Sequence, residues 1–179
     1  MVRIINSFII ILCMLSACKH QELTIERGNY EKTILPLRID GIYLSTKKYI
    51  DVYEGSKWSN FFFFYRNGVV FNGGVEVDKL STDLDLKKFS NYYRKEDLIL
   101  DWGIYNIKKD NILEFEKWEP SSGGGAKTNV YHAKILNDTI FVIEQVYSNY
   151  DKKVRSIQDT LRFFHTYSKP DSTNRFIKE

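Results

Sequence analysis

Two carboxylates stand one residue apart in Leu113-Glu114-Phe115-Glu116, and an extended strand would put Glu114 and Glu116 on one face, about 7 Å apart. Such a pair could serve a two-carboxylate hydrolase, with one group as acid and the other as base or nucleophile. Leu113 and Phe115 take the opposite parity, so the alternation assigns both glutamates to the solvent face of an amphipathic strand. His20 lies near the amino terminus, and His132 and His165 fall in separate segments without a His, Asp or Glu at ligand spacing. Neither a metal site nor a bound cofactor is expected from them. No Gly-X-Ser-X-Gly elbow is present. Gly123-Gly124-Gly125 could cradle a phosphate only if a helix came next, but Thr128-Asn129-Val130-Tyr131 has the composition of a strand. The stretch 120–128 is therefore read as a hairpin loop at the mouth of a sheet. The remaining chemical resource is aromatic: Trp102, Tyr105, Phe115, Tyr131, Phe141 and Phe163 belong to successive apolar runs. A curled sheet could gather them around a small apolar ligand, or they could simply fill a core. The expected protein is a binder or interaction module and not an enzyme.

The elements that would carry these residues are mainly strands. Apolar runs of five to ten residues are separated by Arg66-Asn67-Gly68, Lys109-Asp110-Asn111 and Leu136-Asn137-Asp138, residue types that tolerate the backbone of tight reversals. Strands are expected near 40–48, 58–66, 69–76, 101–108, 111–119, 128–136, 139–148 and 154–166. Phe61-Phe62-Phe63-Phe64-Tyr65 does not alternate, so both its faces should be covered. One inserted helix is expected near 82–95, where Ser81 or Thr82 can cap, Asp83 and Asp85 lie in the first turn and Leu86, Phe89 and Tyr93 form a stripe. Its stripe is the expected cover. Asp40-Gly41-Ile42-Tyr43 and Trp102-Gly103-Ile104-Tyr105 echo each other, as strand openings of similar composition would.

The amino terminus has a different character. Arg3 precedes an unbroken apolar stretch from Phe8 to Leu15, and small residues come after it. This is the layout of a secretory signal peptide. From Ile4 to Ala17 the segment has 14 residues, short of the roughly 20 needed to span a bilayer as a helix. Leu15-Ser16-Ala17-Cys18 resembles a bacterial lipobox, which implies cleavage before Cys18 and fatty acylation there. The expected organisation is a signal peptide over 1–17, a lipid-anchored tether over 18–38 with a short strand near 33–37, a barrel-like domain over 39–167 and a tail over 168–179.

Bulk composition agrees with one exported domain. The chain has 179 residues, 26 basic and 23 acidic side chains and two cysteines. Losing residues 1–17 would remove Arg3 and Cys13, leaving 25 basic against 23 acidic groups and only the acylated Cys18. Thiol nucleophiles, disulfides and thiolate metal sites are then excluded. Lys47-Lys48, Lys108-Lys109 and Lys152-Lys153 are scattered pairs at expected turns, so a nucleic-acid surface is not expected. An aromatic content of 15% favours strands over helices.

"DWGIYNIKKDNILEFEKWEPSSGGG" at 101–125, followed by "KILNDTIFVI" at 134–143, resembles small Bacteroidetes-type lipoproteins of the lipocalin-like kind. Where lipocalins proper carry Gly-X-Trp near the first strand, Gly41-Ile42-Tyr43 stands here. The resemblance implies a strand meander and carries no catalytic residues. The combined expectation is a curved antiparallel meander or incomplete eight-stranded lipocalin-like barrel with one inserted helix. Function would be that of an envelope lipoprotein, anchored through Cys18 to the inner or outer membrane and binding a small apolar ligand or lipid. The alternative is an accessory module that contacts another envelope protein.

Overall fold

Eight apolar runs become strands, and their hydrogen bonds close on themselves. The structure, a computed structural model, describes residues 20–50, 54–77, 98–122, 125–166 and 169–178. The signal segment with Cys18, the helix expected near 82–95 and the pair Gly123-Gly124 lie outside the described residues. The strands are β1 (Gly41–Ser45), β2 (Tyr49–Ile50), β3 (Lys57–Phe64), β4 (Val69–Glu76), β5 (Trp102–Lys108), β6 (Ile112–Pro120), β7 (Ala126–Asn137), β8 (Ile140–Ser148) and β9 (Val154–His165). Neighbours pair antiparallel in the order β1-β9-β8-β7-β6-β5-β4-β3, and β3 pairs back onto β1 through Tyr43 with Phe62 and Leu44 with Phe61. The expected eight-stranded antiparallel meander is thus present, and it closes fully into a barrel. The two-residue β2 is an extra strand on the β3 edge.

The turn residues act as their chemistry requires. Asp110 and Asn111, between β5 and β6, take φ of 61° and 59°, a region that Asp and Asn enter more readily than other side chains. Between β7 and β8 the Asn137 carboxamide oxygen accepts the Thr139 amide at 2.9 Å. Gly41 and Gly103 explain the repeated Gly-Ile-Tyr: a Cβ would lie 2.1 Å from the Phe164 carbonyl oxygen at the first and 2.2 Å from that of Glu116 at the second. Both are points of close cross-strand approach. Register shifts between His132 and Ala133 and between Ile143 and Gln145 mark bulges, which sharpen the curvature a closed barrel needs.

Closure divides the aromatics between two cores. Tyr43, Phe62, Phe64, Tyr105, Phe115, Phe141 and Leu161 point into the barrel. Phe61, Phe63, Phe71, Trp102 and Trp118 point outward and are buried with Ile42 under Leu23, Ile99, Leu100, Phe176 and Ile177. The phenylalanine run 61–64 is therefore covered on both faces, with exposures of 0–4%, and each ring contributes about 1.5–3 kcal/mol on burial.

Both flanks pack against this barrel. Residues 21–27 alternate between half-buried and exposed along the outer wall, with the Gln21 amide donating to the Ala126 carbonyl and that of Gly28 to Tyr105, each at 2.9 Å. The segment expected as a tether is, from His20 onward, a strap. No strand forms at 33–37; the Thr33 amide closes a turn on the Tyr30 carbonyl, and Leu37 enters the core. From the other terminus, Tyr65 donates its hydroxyl to the Pro170 carbonyl, and Lys169 donates to the carbonyls of Ile39 and Phe64.

Candidate functional site

Strand direction fixes two unlike ends. At one, the loops joining β5 to β6 and β7 to β8 meet the chain entering from Tyr30. That ring stacks on Tyr105 with centroids 5.3 Å apart; its hydroxyl donates to the Asn106 side chain at 3.0 Å and accepts the Ile107 amide at 2.6 Å. Phe64 meets Tyr105, Phe115 and Phe141 edge-on, and Tyr43 packs against Phe64, Phe141 and Phe163. This half of the barrel is solid. Burial drives the hydroxyl pKa of Tyr43 and Tyr105 well above the ordinary tyrosine value, so both stay neutral donors.

The opposite half is open. A cavity of about 600 Å³ enters at the mouth, within the roughly 300–1,000 Å³ of small-molecule sites. Phe62, Tyr131, Ile143 and Ile157 supply its apolar surface, while Ser45, Asn60, Asn72, Lys117, Glu119 and Asp159 supply polar groups. The lining is amphipathic, not apolar.

Its polar groups are fixed by one another. The Lys117 ammonium pairs with Glu119 at 2.7 Å, and the Tyr131 hydroxyl donates to the same carboxylate at 2.5 Å. Tyr131 is held in turn by a parallel stack on Phe115, with centroids 4.7 Å apart and planes 2° from parallel. Its hydroxyl pKa lies well above the ordinary value, first because the ring is buried and next because the Glu119 charge disfavours a phenolate. Across the barrel, Ser45 donates its hydroxyl to both oxygens of buried Asp159, at 2.7 and 2.8 Å. The carboxamides of Asn60 and Asn72 have no hydrogen-bond partner among the described residues. They remain available to a ligand.

Of the six aromatics expected to line a site, Tyr131 does so. Tyr105, Phe115 and Phe141 fill the closed half with no exposed surface; Phe163 lies at the closed end beneath the Arg38 guanidinium, 4.4 Å from its ring. Trp102 belongs to the outer cluster, against Phe71. Parity could not reveal this, because both faces of β3 to β5 are apolar. Sequence reasoning passed over Lys117, Glu119 and Asp159. The available signal was parity: Lys117 and Glu119 continue the inward series Leu113, Phe115, and Asp159 precedes inward Leu161.

The residues first considered for catalysis lie elsewhere. Glu114 and Glu116 do share the outer face, but the expectation that both are solvated holds only in part. Glu114 meets Lys108 at 3.1 Å and His132 at 3.4 Å, whereas Glu116 is wholly buried beneath the strap. The Oε2 atom of Glu116 accepts the amides of Thr24 at 2.6 Å and Ile25 at 2.9 Å, and its Oε1 accepts the Asn149 amide group at 2.8 Å. It is a fastener for the amino-terminal segment. His165 approaches Asp40 at 3.8 Å, and His20 accepts the Ala126 amide at 3.0 Å. None of the three histidines lines the cavity. Among the described residues, no group of three His, Cys, Asp or Glu could hold a metal ion, and no helix is long and apolar enough to cross a membrane.

No family model, no curated protein and no solved structure matches the chain at a significant level.

Proposed function

We propose that this protein is a lipid-anchored binding protein of a bacterial envelope, acylated at Cys18, whose barrel mouth takes a small amphipathic ligand. The observation that carries the binding half is the contrast between a solid lower barrel and a cavity of about 600 Å³ above it. A cavity of this kind, with an apolar floor and polar groups on its walls, is the usual form of a small-molecule site. The two free carboxamides and the Lys117 ammonium suit a ligand with a polar end, and Phe62, Ile143 and Ile157 suit an apolar one. The anchoring half rests on Leu15-Ser16-Ala17-Cys18 and the apolar segment before it.

Native mass spectrometry of the gently extracted full chain tests the binding half. A discrete non-covalent adduct is expected, and Asn72→Trp, which sets an indole in the mouth opposite Phe62, should remove it. An adduct that persists at full occupancy in a folded Asn72→Trp protein would place the ligand elsewhere. Recovery of a protein partner in place of a small adduct would favour the accessory-module reading.

A further inference from the structure

The amino terminus leaves the barrel at its mouth. Ala126 is the first residue of β7 and Trp118 lies near the end of β6, both at the open end. His20 and Gln21 are fastened there: His20 Nδ1 accepts the Ala126 amide at 3.0 Å, the Gln21 carbonyl accepts the Trp118 indole N–H at 2.7 Å and the Gln21 side chain accepts the Thr128 amide at 3.1 Å. Residue 18 precedes His20 by two residues, a span that covers at most about 7 Å. A lipid on Cys18 would therefore hold the open end, not the closed one, against the bilayer.

The surface of that end has the matching chemistry. Among the described residues, five of the eight large apolar side chains that are exposed lie around it: Tyr49, Ile50 and Leu98, with exposures of 46%, 64% and 49%, and Tyr150 and Val154, at 67% and 60%. On the β8–β9 turn, Tyr150 and Val154 flank Lys152 and Lys153; on the β1–β3 connection, Tyr49 and Ile50 come directly after Lys47 and Lys48. The Lys127 ammonium sits 4.6 Å from the Tyr150 ring centre. None of Lys48, Lys127, Lys152 and Lys153 is in an ion pair among the described residues. The acidic groups in the described parts of these connections are Glu54 and Asp151. Tyrosine rings and aliphatic side chains at headgroup depth, with free ammonium groups beside them, are what an anionic interface attracts. Exposed Ile34, Leu136 and Phe164 lie toward the closed end, each two residues from one basic side chain (Lys32, Lys134 and Arg162) and none directly beside a lysine pair.

We propose that this rim, Lys47 to Ile50 together with Lys127 and Tyr150 to Val154, docks on an anionic bilayer so that the barrel mouth faces the lipid headgroups. The orientation rests on the anchored-binder reading for its tether, while the rim chemistry stands independently of it. Docking in this way makes the bilayer itself the place where the cavity exchanges its contents.

The test uses the full chain, processed and reconstituted in vesicles of phosphatidylglycerol and phosphatidylcholine. Single spin labels are placed through Ile50→Cys, Tyr150→Cys and Leu136→Cys, three exposed positions where a label leaves packing intact. Power saturation then compares collisions with oxygen against collisions with a water-soluble nickel complex. Several-fold higher oxygen-to-nickel ratios at 50 and 150 than at 136, falling when phosphatidylcholine replaces the anionic lipid, support the proposal. Ratios at 50 and 150 equal to that at 136 overturn it. Mass analysis of the amino-terminal peptide keeps the two readings apart. An acylated protein with wet rim labels refutes docking and leaves the anchor standing; an unmodified protein, relabelled with Cys13→Ser and Cys18→Ser so that each label is again single, does the reverse if its rim labels are immersed.

Discussion

Replacing Glu116 by glutamine changes one buried atom and tests whether the strap is held as described. The carboxylate accepts two backbone amides on Oε2 and the Asn149 amide on Oε1, with the Thr24 hydroxyl within 3.3 Å of both oxygens. A carboxamide offers one acceptor and one donor. Whichever way it is turned, its NH2 confronts an N–H group: Thr24 and Ile25 on one side, Asn149 on the other. At least one charge-assisted bond, typically worth about 1.5–3 kcal/mol, is lost, and a buried donor left without an acceptor costs about 1–3 kcal/mol more. Rotation of Asn149 removes that second cost, since its Oδ1 then meets the new NH2 and the Thr128 hydroxyl, 2.9 Å away, donates instead of accepting; the lost charge assistance of the Thr24 and Ile25 bonds remains, about 1 kcal/mol for each. The strap can lift into water, which caps the total, so Glu116→Gln should cost about 2 kcal/mol in strap docking. With about 1.4 kcal/mol per tenfold, amides of Thr24 and Ile25 should exchange about thirtyfold faster. Amides of the closed half, such as that of Tyr105, should change far less. Exchange within threefold of the parent, with less than about 0.5 kcal/mol lost in urea unfolding, would refute the assignment of Glu116 as the fastener.

Packing and titration of the barrel give two more expected outcomes. Phe64→Ala, which empties the centre of the ring cluster formed with Tyr43, Tyr105, Phe115 and Phe141, should cost about 3–5 kcal/mol in denaturant unfolding; a loss under about 1 kcal/mol would mean that the closed half is not solid. Lys169 has its pKa lowered to about 8, mainly by burial, so between about pH 8 and its unfolded value the folded state holds fewer protons and stability rises with pH, by up to about 3 kcal/mol. Thermal midpoints from pH 7 to 9.5 should show this rise in the parent and lose it in Lys169→Met; a rise of equal size in the variant would exclude Lys169 as its source.

The range of the interactions decides how much of the molecule is legible in its sequence. Strand positions were legible because burial on alternate residues and the backbone needs of Asn67, Asp110 and Asn137 act over a few residues. Closure was not, because pairing of Tyr43 with Phe62 joins strands that flank a separate connection, and no local pattern announces it. The faces of β5 were ambiguous for a related reason. Trp102 and Tyr105 are both apolar enough for an interior, and Trp102 can point outward because a cover that includes, among the described residues, Leu100, Phe176 and Ile177 buries it there. At Glu116 the sequence was misleading in a specific way. Alternation correctly predicts which way a side chain points, but whether water or another segment waits there depends on residues some ninety positions away. The polar groups of the mouth obey the same limit: Lys117 sits on the apolar parity of β6, where a charge near the end of a strand marks the place at which a filled core gives way to an opening.

Strap and mouth are mechanically linked. While Glu116 holds Thr24 and Ile25, the chain is fixed to the wall as far as His20, and the proposed lipid on Cys18 would constrain the barrel through a span of about 7 Å. If the strap peels away, the next backbone fastening is Gly28 on Tyr105, midway along β5. The free chain from residue 18 then has about ten residues and a maximal reach of about 35 Å, enough for the barrel to turn its closed end to the membrane. A carboxylate far from the cavity would thus govern whether the cavity faces the bilayer, without touching a ligand. Glu116→Gln should therefore lower the oxygen-to-nickel contrast between labels at 50 and 136 even though every rim residue is intact, and a contrast as large as the parent's in a protein whose strap exchanges freely would show that the rim alone sets the orientation.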